Sequence, residues 1–363
     1  MSSNSPSTRA KIEICRRSSA ETPALEAMYA EVFGEKAAGD NRARWRWQYD
    51  ENPHCPPEGP EIWVAKQNGV VLGQYASMPV RLFVKGRTLR ASWGMDVMVR
   101  PNVQRKGIGS RLFLYWDENV EASLGLGLSA ASYALFKKLR WEDVGPVPCY
   151  TLVLDPGALL ERRLPRPMAR ALAPLARLAF SFAFPRRKTR GDVMARPMEG
   201  VFGEEYDALW QAASRGYDFI AERTAAYLEW KYHRVPFVSY DVLEARRKDG
   251  TLSGYCVLRA TERNGMVLAL LVDLFARPDD NATLGALLDG AAAWAKDRKA
   301  ARMQTFTFDA RIVARLAAKG FILIPSPMQF CLRIHSDHVS EGFYRDTSRW
   351  HVTFGDSDQD REA

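Results

Sequence analysis

The sequence predicts a mixed α/β chain in which one sheet-and-helix plan is written twice, and three observations carry that expectation. Trp47-Gln48-Tyr49-Asp50-Glu51-Asn52-Pro53 and Trp230-Lys231-Tyr232-His233-Arg234-Val235-Pro236 share the pattern W-x-Y-x-x-x-P. Asp96-Val97-Met98-Val99-Arg100-Pro101 and Asp273-Leu274-Phe275-Ala276-Arg277-Pro278 share D-x-x-x-R-P at nearly the same offset, about 180 residues. Around both pairs, strand-like runs and helical runs follow one another in one order. Weak matches that keep order and offset reinforce each other, so two copies of one domain are expected: 1–155 and 196–335. A basic linker, 156–195, joins them, and a tail, 336–363, follows. Each copy is expected to be a mostly antiparallel twisted sheet flanked by helices.

In the first copy a helical stretch near Thr22–Gly34 precedes the Trp-rich segment Arg44–Asp50. A strand Glu61–Lys66, a turn at Asn68-Gly69 and a strand Val70–Leu82 follow, because Asn-Gly between alternating apolar residues signals a hairpin. A turn at Lys85-Gly86 leads to a strand Leu89–Val99, then a Pro-Asn loop and a helix from Ile108 to Ala122. A short strand Gly125–Leu128, a helix Ala131–Leu139 and a closing strand Pro148–Leu154 complete the copy. Trp141 and Phe321 each follow a Lys-bearing helical stretch, and Tyr150 and Phe330 open matching short strands.

The linker segment Glu161–Arg190 carries nine basic residues and one acid. On a helix, Met168, Leu172, Leu175, Ala179 and Phe182 share one face, with Arg163, Arg170 and Arg177 opposite. Two readings stand: an interfacial helix lying on a membrane through residues 163–184, or a linker packed on its own domains and kinked at Pro174.

Composition narrows the class. A length of 363 residues suits two domains of roughly 100–200 residues each. With 47% hydrophobic and 26% charged residues, the chain has the composition of a folded soluble protein. The net charge of +8 favours anionic partners without choosing among them. The basic residues gather in the linker without interleaved stacking aromatics, so no nucleic-acid partner is expected. Five scattered cysteines, with no C-x-x-C pair, argue for reduced thiols rather than a disulfide or zinc framework. The polar start, Met1–Arg9, does not resemble a signal peptide, and no run reaches the ~18 apolar residues of a membrane span. A cytoplasmic protein is expected, with peripheral contact at the inner membrane face if the linker lies there.

The strongest local signal is Gln104-Arg105-Lys106-Gly107-Ile108-Gly109-Ser110, between a predicted strand and a predicted helix. Glycine at 107 and 109 permits close backbone approach, and the amides opening the helix, with their dipole, attract an anion. Arg105, Lys106 and Arg111 add positive charge. Gly125-Leu126-Gly127-Leu128-Ser129-Ala130 also fits a dinucleotide fingerprint, G-x-G-x-x-A, but follows a helix rather than opening one after a first strand, so it carries little weight.

At these residues the chain resembles the GNAT acyltransferase family, whose motif Q/R-x-x-G-x-G/A follows a V-x-V-x-P strand. Val97, Val99, Pro101, Gln104, Gly107 and Gly109 match it, and the likeness covers most of 60–155 with a degenerate echo beyond. It is also similar to duplicated GNAT proteins associated with bacterial surface-polysaccharide and lipid synthesis. The resemblance implies acetyl-CoA or a longer acyl-CoA as co-substrate and no metal. The pantetheine arm would lie on Val97, Met98 and Val99, and the diphosphate on Gln104, Arg105, Lys106, Gly107, Ile108, Gly109 and Ser110. In the second copy Asp279 and Asp280 stand where the anion would bind, and like charge repels it, so one coenzyme per chain is expected.

Acyl transfer to an amine needs a neutral nucleophile, support for the oxyanion and a proton for the thiolate. The resemblance places backbone near Met98 and Val99 at the oxyanion. It puts Phe136 where a tyrosine usually serves the thiolate, and Phe cannot donate; Tyr133, one turn earlier, is the substitute candidate. Asp96 is the candidate general base, although Asp273 repeats it in the copy without a coenzyme turn. Trp45, Trp47, Tyr49 and His54 are candidates for an acceptor groove, and the tail Trp350–Asp358 for reaching back to that cleft. The expected reaction transfers an acyl group to an amino sugar or to a lipid or long-chain amine, including ceramide-like N-acylation. The alternative is a non-catalytic acyl-CoA-binding or scaffold protein. The histidines form no spaced metal set, no serine nucleophile elbow is present, and Cys149 reads as packing.

Overall fold

The computed structural model describes residues 11–161, 164–183, 189, 191–337 and 339–360, the side chains of 36–40, 166, 181, 183 and 341 excepted. Two left-handed turns shape the first half. β1 (Glu13–Arg16) lies beside β2 (Ile62–Gln67), and Asn68-Gly69, both at positive φ, turns β2 into β3 (Val70–Val84). Lys85-Gly86 turns β3 into β4 (Arg87–Val99), as paired left-handed residues do in tight hairpins. The next strands are β5 (Ala122–Leu126), β6 (Glu142–Pro146), β7 (Cys149–Val153), β8 (Met194–Pro197) and β9 (Phe219–Ala221). Then follow β10 (Asp241–Arg246), β11 (Leu252–Arg263), β12 (Met266–Ala276), β13 (Arg302–Phe306), β14 (Ile322–Ile324), β15 (Gln329–Ile334) and β16 (Trp350–His351). Helices α1 (Thr22–Phe33), α2 (Glu35–Trp45), α3 (Ile108–Asp117) and α4 (Ala130–Lys138) belong to the first half. α5 (Pro156–Leu160) and α6 (Arg166–Ala183) form the link. α7 (Glu204–Ala213), α8 (Ala225–Leu228), α9 (Asn281–Asp297), α10 (Ala310–Ala318) and α11 (Glu341–Tyr344) complete the chain.

The strands make two mostly antiparallel sheets. One runs β1-β2-β3-β4-β5-β15-β6, with β9 and β16 added along the far end of β3; the other runs β14-β7-β13-β12-β11-β10-β8. The closing strand expected at Pro148–Leu154 therefore forms, but in the opposite sheet: β7 sits between β13 and β14, while β15 sits between β5 and β6. Neither sheet is completed by the 1–155 or 196–335 segment alone. The strands that Tyr150 and Phe330 announced are the two that cross over. A strand's alternation fixes which face is buried, not which edge it joins.

The echoed motif marks the junction of the halves. Arg46–Asp50 and Glu229–His233 are both single-turn π-helices. Trp47 and Trp230 stack with ring centroids 4.8 Å apart, and each indole N–H donates to the other's backbone carbonyl at 2.8 Å. The aromatic groove expected from Trp45, Trp47, Tyr49 and His54 is thus core: the first three are buried, and His54 stacks on Tyr227. Burial holds the His54 imidazole down at about 4, so it is neutral at physiological pH.

Helix α3 ends at Asp117, short of Ala122. The buried Asp117 carboxylate accepts from Ser123 Oγ at 2.5 Å and from Arg333 at 2.9 Å, which turns the chain into β5 early. In the linker, Ala169 and Ala173 are buried, with Ala173 packed against Gly157, and Arg177 donates twice to Asp155 at 3.0 Å. Met168, Leu172, Leu175, Leu178 and Phe182 remain exposed, Phe182 at 77%. Arg163 lies outside the described residues. Among the described residues no helix is long and apolar enough to cross a membrane.

Candidate active site

The site begins as a defect in the pairing of β4. Gln74 pairs with Met98 and Ala76 with Met95, so Asp96 and Val97 together oppose Tyr75 alone. That is a β-bulge, with Asp96 at φ 28°, and bulges bend the strand that carries them. β4 and β5 pair in parallel only through Ala91, Ser92 and Trp93 with Ala122, Ser123 and Leu124. Beyond Trp93 they part. The gap holds a cavity of about 200 Å³ lined by residues that include Tyr75, Met95, Asp96, Val97, Ser132 and Phe136. β4 amides there can pair with an incoming amide-bearing arm as an added strand would.

The glycine turn closes the end of β4. Arg105 (φ 62°) and Gly107 (φ 82°) are both left-handed, and Gly107 caps α3 without any side-chain cap. Alternating backbone hands turn successive N–H groups toward one point, the geometry of an anion nest. Ile108 is buried with Leu112, Phe113 and Trp116, so the start of α3 is anchored while Gln104 to Gly107 stay exposed. Gln104 Nε2 donates to the Val99 carbonyl at 3.1 Å, Lys106 Nζ to Asn102 O at 3.2 Å, and Arg111 to Ile12 O at 2.9 Å. Gly109 and Ser110 are half-buried, and Met98 is buried. The cofactor residues read from the sequence therefore follow one another along β4, the turn and the start of α3, with Met98 and Ile108 buried and Gln104 to Gly107 exposed.

The second half differs where it matters. Asp280 caps α9, accepting from Thr283 N at 3.0 Å, and pairs with Arg247 at 2.7 Å. A carboxylate thus occupies the helix N-terminus that is open in α3. β12 bulges at Val272, but its gap is filled by the tail: Gly355 N donates to Val272 O at 2.8 Å.

The candidate catalytic residues separate in space. Asp96 lines the cavity, and its Oδ2 accepts from Tyr49 OH and Arg44 Nη2, each at 2.6 Å. The second half repeats the arrangement, with Tyr232 and Tyr255 hydroxyls 3.3 Å from Asp273 Oδ2 and Arg223 beside it. Asp96 therefore also locks the bulge to the π-helix. Burial, then the Asp96 charge, pushes the Tyr49 phenol well above its usual value, so it acts as a donor. Tyr133 is turned elsewhere: its hydroxyl donates to Asp143 at 2.5 Å, an acceptor that Lys137 shares at 2.9 Å. Asp143, on β6, competes directly for the proton that a thiolate would need.

The polar lining residues without an assigned role in the sequence include Tyr75, Ser132 and Gln359. Tyr75 presents its hydroxyl where a Gly94 Cβ would lie, 2.2 Å away, and burial raises its pKa well above the ordinary value. Ser132 shares the α4 face of Phe136 at i, i+4 spacing, a signal present in the sequence. Asp358 and Gln359 also line the gap, so the tail does reach back, one residue further than the Trp350–Asp358 segment. Gly127 sits at φ 64°, a left-handed backbone that favours glycine, and the Gln359 side chain packs directly over it, so the apparent dinucleotide fingerprint meets the tail. Cys149 is buried and its thiol is pushed up to about 12 by burial, an inert packing group. Among the described residues no group of His, Cys, Asp or Glu is arranged to hold a metal.

Comparison with known proteins bears on the same segment. Residues 13–142 match the family model described as an acetyltransferase (GNAT) domain. No protein of curated function matches the sequence. Among solved structures, a GCN5-related N-acetyltransferase from Anabaena variabilis is similar at TM-score 0.63 and 13% identity, covering 90% of this chain and 73% of its own. One from Kribbella flavida is similar at 0.58 and 15%, covering 91% and 72%. The Saccharomyces cerevisiae N-myristoyltransferase with bound myristoyl-CoA is similar at 0.54 and 12%, covering 88% and 82%. At such identities the likeness is one of fold.

Proposed function

Because residues 13–142 carry a GNAT acetyltransferase domain, we propose that the chain transfers an acyl group from a coenzyme A thioester to an amine. The observation that carries this reading is the opening between β4 and β5, contiguous with an uncapped α3 N-terminus. The diphosphate sits on residues 104–110, the pantetheine pairs along Val97–Val99, and the thioester lies in the gap beside Asp96. The second half, capped by Asp280 and filled by Gly355, binds no coenzyme and supports the acceptor side. Asp96 takes a proton from the acceptor ammonium, and the neutral amine so formed attacks the thioester carbonyl. Tyr75, rather than the Asp143-bound Tyr133, donates a proton to the thiolate that leaves as the thioester C–S bond breaks. The acceptor is an amino sugar or a lipid amine.

The test is thiol release from acetyl-CoA and longer acyl-CoAs with a panel of amines. Asp96→Asn keeps an acceptor oxygen for Tyr49 and Arg44, so the bulge survives while the base is lost. Turnover should fall roughly 100-fold, the usual scale of general-base catalysis, with little change in coenzyme affinity. Unchanged turnover would leave Asp96 a purely positional residue, and no thiol release with any amine would favour a non-catalytic acyl-CoA-binding protein.

The exposed apolar stripe of α6 supports peripheral membrane contact through residues 163–184, since its opposite face is already packed on α5. A basic amphipathic helix with Leu and Phe outward is suited to an anionic interface. Leu175→Glu with Phe182→Glu should abolish flotation with anionic vesicles and leave thermal stability unchanged. Equal flotation of variant and parent would assign α6 to the linker role alone.

A further inference from the structure

The two bulged strands differ in how their aspartates are satisfied. On β12 both carboxylate oxygens of Asp273 are taken. Tyr232, Tyr255 and Arg223 Nε surround Oδ2 at 3.3 Å, while Oδ1 accepts from Leu274 N at 3.0 Å and from Thr353 Oγ1 at 3.2 Å. On β4 the donors crowd onto one oxygen, since Tyr49 OH and Arg44 Nη2 both reach Asp96 Oδ2. Among the described residues no donor reaches Asp96 Oδ1, an unburied oxygen on a residue that lines the gap. Arg44 is itself braced. Its Nε and Nη2 donate to Asn41 Oδ1 at 3.0 and 2.9 Å, and its Nη1 donates to Gln48 Oε1 at 3.1 Å. Gln48 in turn donates to Tyr49 OH at 3.0 Å. A carboxylate with both oxygens filled is a structural brace; one with an open oxygen at a cavity can still take a proton.

We infer that Arg44 is a positioning residue of the reaction: with Tyr49 it fixes Asp96 Oδ2 so that Oδ1 alone serves as the base, and its charge lets the acceptor ammonium give up its proton. The inference rests on the acyltransferase reading and adds to it a residue and an atom. A lone carboxylate favours the ammonium form of a neighbouring amine, which opposes the neutral nucleophile that attack requires. A guanidinium on the same carboxylate offsets that field. The offset weighs more because Asp358 of the tail also acts on Arg44, so loss of Arg44 would leave two carboxylates at the gap. The other groups facing the pair are the phenols of Tyr29 on α1 and Tyr49 on the π-helix, both pushed up chiefly by burial and therefore neutral. The ammonium proton passes to Oδ1 and on to solvent. The freed lone pair forms the C–N bond as the C–S bond breaks, and the next proton lost by nitrogen balances the one that Tyr75 gives the thiolate.

The test follows kcat and KM against pH for the acyl-CoA and amine pair that wild type turns over fastest. Arg44→Gln removes the charge and keeps a polar group beside Asn41 and Gln48. The pH at which kcat is half-maximal should rise by about 1–3 units, the scale of one adjacent charge on a carboxylate. At neutral pH kcat should fall by about 10-fold or more while the amine KM also falls, and activity should return as pH is raised. Acyl-CoA affinity should hold. Arg44→Lys, which restores the charge, should bring the midpoint back toward wild type. Asn41→Asp keeps the acceptor oxygen for Arg44 and adds one negative charge, so a variant with its contacts intact should shift the midpoint the same way. A loss of kcat in Arg44→Gln that does not vary with pH, an unmoved midpoint in Asn41→Asp, or an equal further loss when Arg44→Gln is added to Asp96→Asn overturns the inference and leaves Arg44 a brace for the fold. Wild type that releases no thiol with any amine at any pH overturns the acyltransferase reading, and this inference with it.

Discussion

Gly109→Glu should leave the fold intact and reduce acyl-CoA affinity at least 100-fold, about 2.7 kcal/mol. The position has room: a Cβ built there meets only Val99 Cγ2, at 3.8 Å, and Gly109 is not among the residues at positive φ. A carboxylate in the first turn of α3 is favourable to the helix by roughly 0.3–1 kcal/mol through its dipole, so the unliganded variant should melt at or slightly above the parent temperature. The same carboxylate would stand on the proposed diphosphate seat. A unit charge about 4 Å from each phosphate, at an effective dielectric near 20, costs up to about 4 kcal/mol per pair before salt screening. The two effects have opposite signs on stability and binding, so a folding defect cannot mimic a binding defect. Calorimetry should give one coenzyme per wild-type chain and none for the variant, and coenzyme should raise the melting temperature of wild type only. Retained affinity in Gly109→Glu would reduce the turn to an ordinary surface loop.

The strand–turn–helix geometry around Gly107 was legible because it is local. Glycines, basic residues and a strand-to-helix transition lie within one stretch, Asp96–Leu112, and the structure keeps them contiguous. The echo of Trp47 with Trp230 and Asp96 with Asp273 was legible too, and the structure shows why it is so spaced. Two π-helices meet through reciprocal indole hydrogen bonds, and each sends a tyrosine to the aspartate of its own bulged strand. What was not legible depends on distant partners. Nothing in Cys149–Val153 distinguishes pairing with β13 from pairing with β6, because the same side chains are buried either way. Tyr133 reads as a free hydroxyl until Asp143, ten residues on, is folded back against it. The role of Gly127 appears only once Gln359 arrives from the other end of the chain. The unassigned polar contributors to the gap, Tyr75, Ser132 and Gln359, come from β3, α4 and the tail, and only Ser132 carried a spacing signal.

Arg223→Met should destabilise the protein by roughly 3–5 kcal/mol at neutral pH, the cost of stranding buried charge. Arg223, Asp273 and Asp356 are each almost fully buried. The guanidinium donates to Asp356 Oδ2 at 3.0 Å, to Asp273 at 3.3 and 3.5 Å, and to the Ala221 carbonyl at 2.7 Å. Burial alone would raise Asp273; the Arg223 charge, with lesser help from His351 and Thr353, more than offsets it and holds the carboxyl below its usual value. A group depressed in the folded state contributes stability above its unfolded pKa and loses it as pH falls, so wild type should weaken toward acid through this pair. In Arg223→Met the chief counter-charge is gone and desolvation dominates, which raises the folded-state pKa. The variant's deficit is then present at neutral pH and relieved on acidification, so the stability gap in urea should be smaller at pH 5 than at pH 7.5. A gap that stays constant would mean that lost packing, rather than stranded charge, carries the effect. Arg223→Lys keeps the charge without the two-point fork and should recover part of the loss. Because Asp356 lies two residues before Asp358, releasing it also frees the segment that lines the acyl-transfer gap. Turnover in Arg223→Met should therefore fall under conditions where the protein remains folded, while coenzyme A without an acyl group, whose proposed diphosphate seat is the α3 N-terminus, should bind with unchanged affinity.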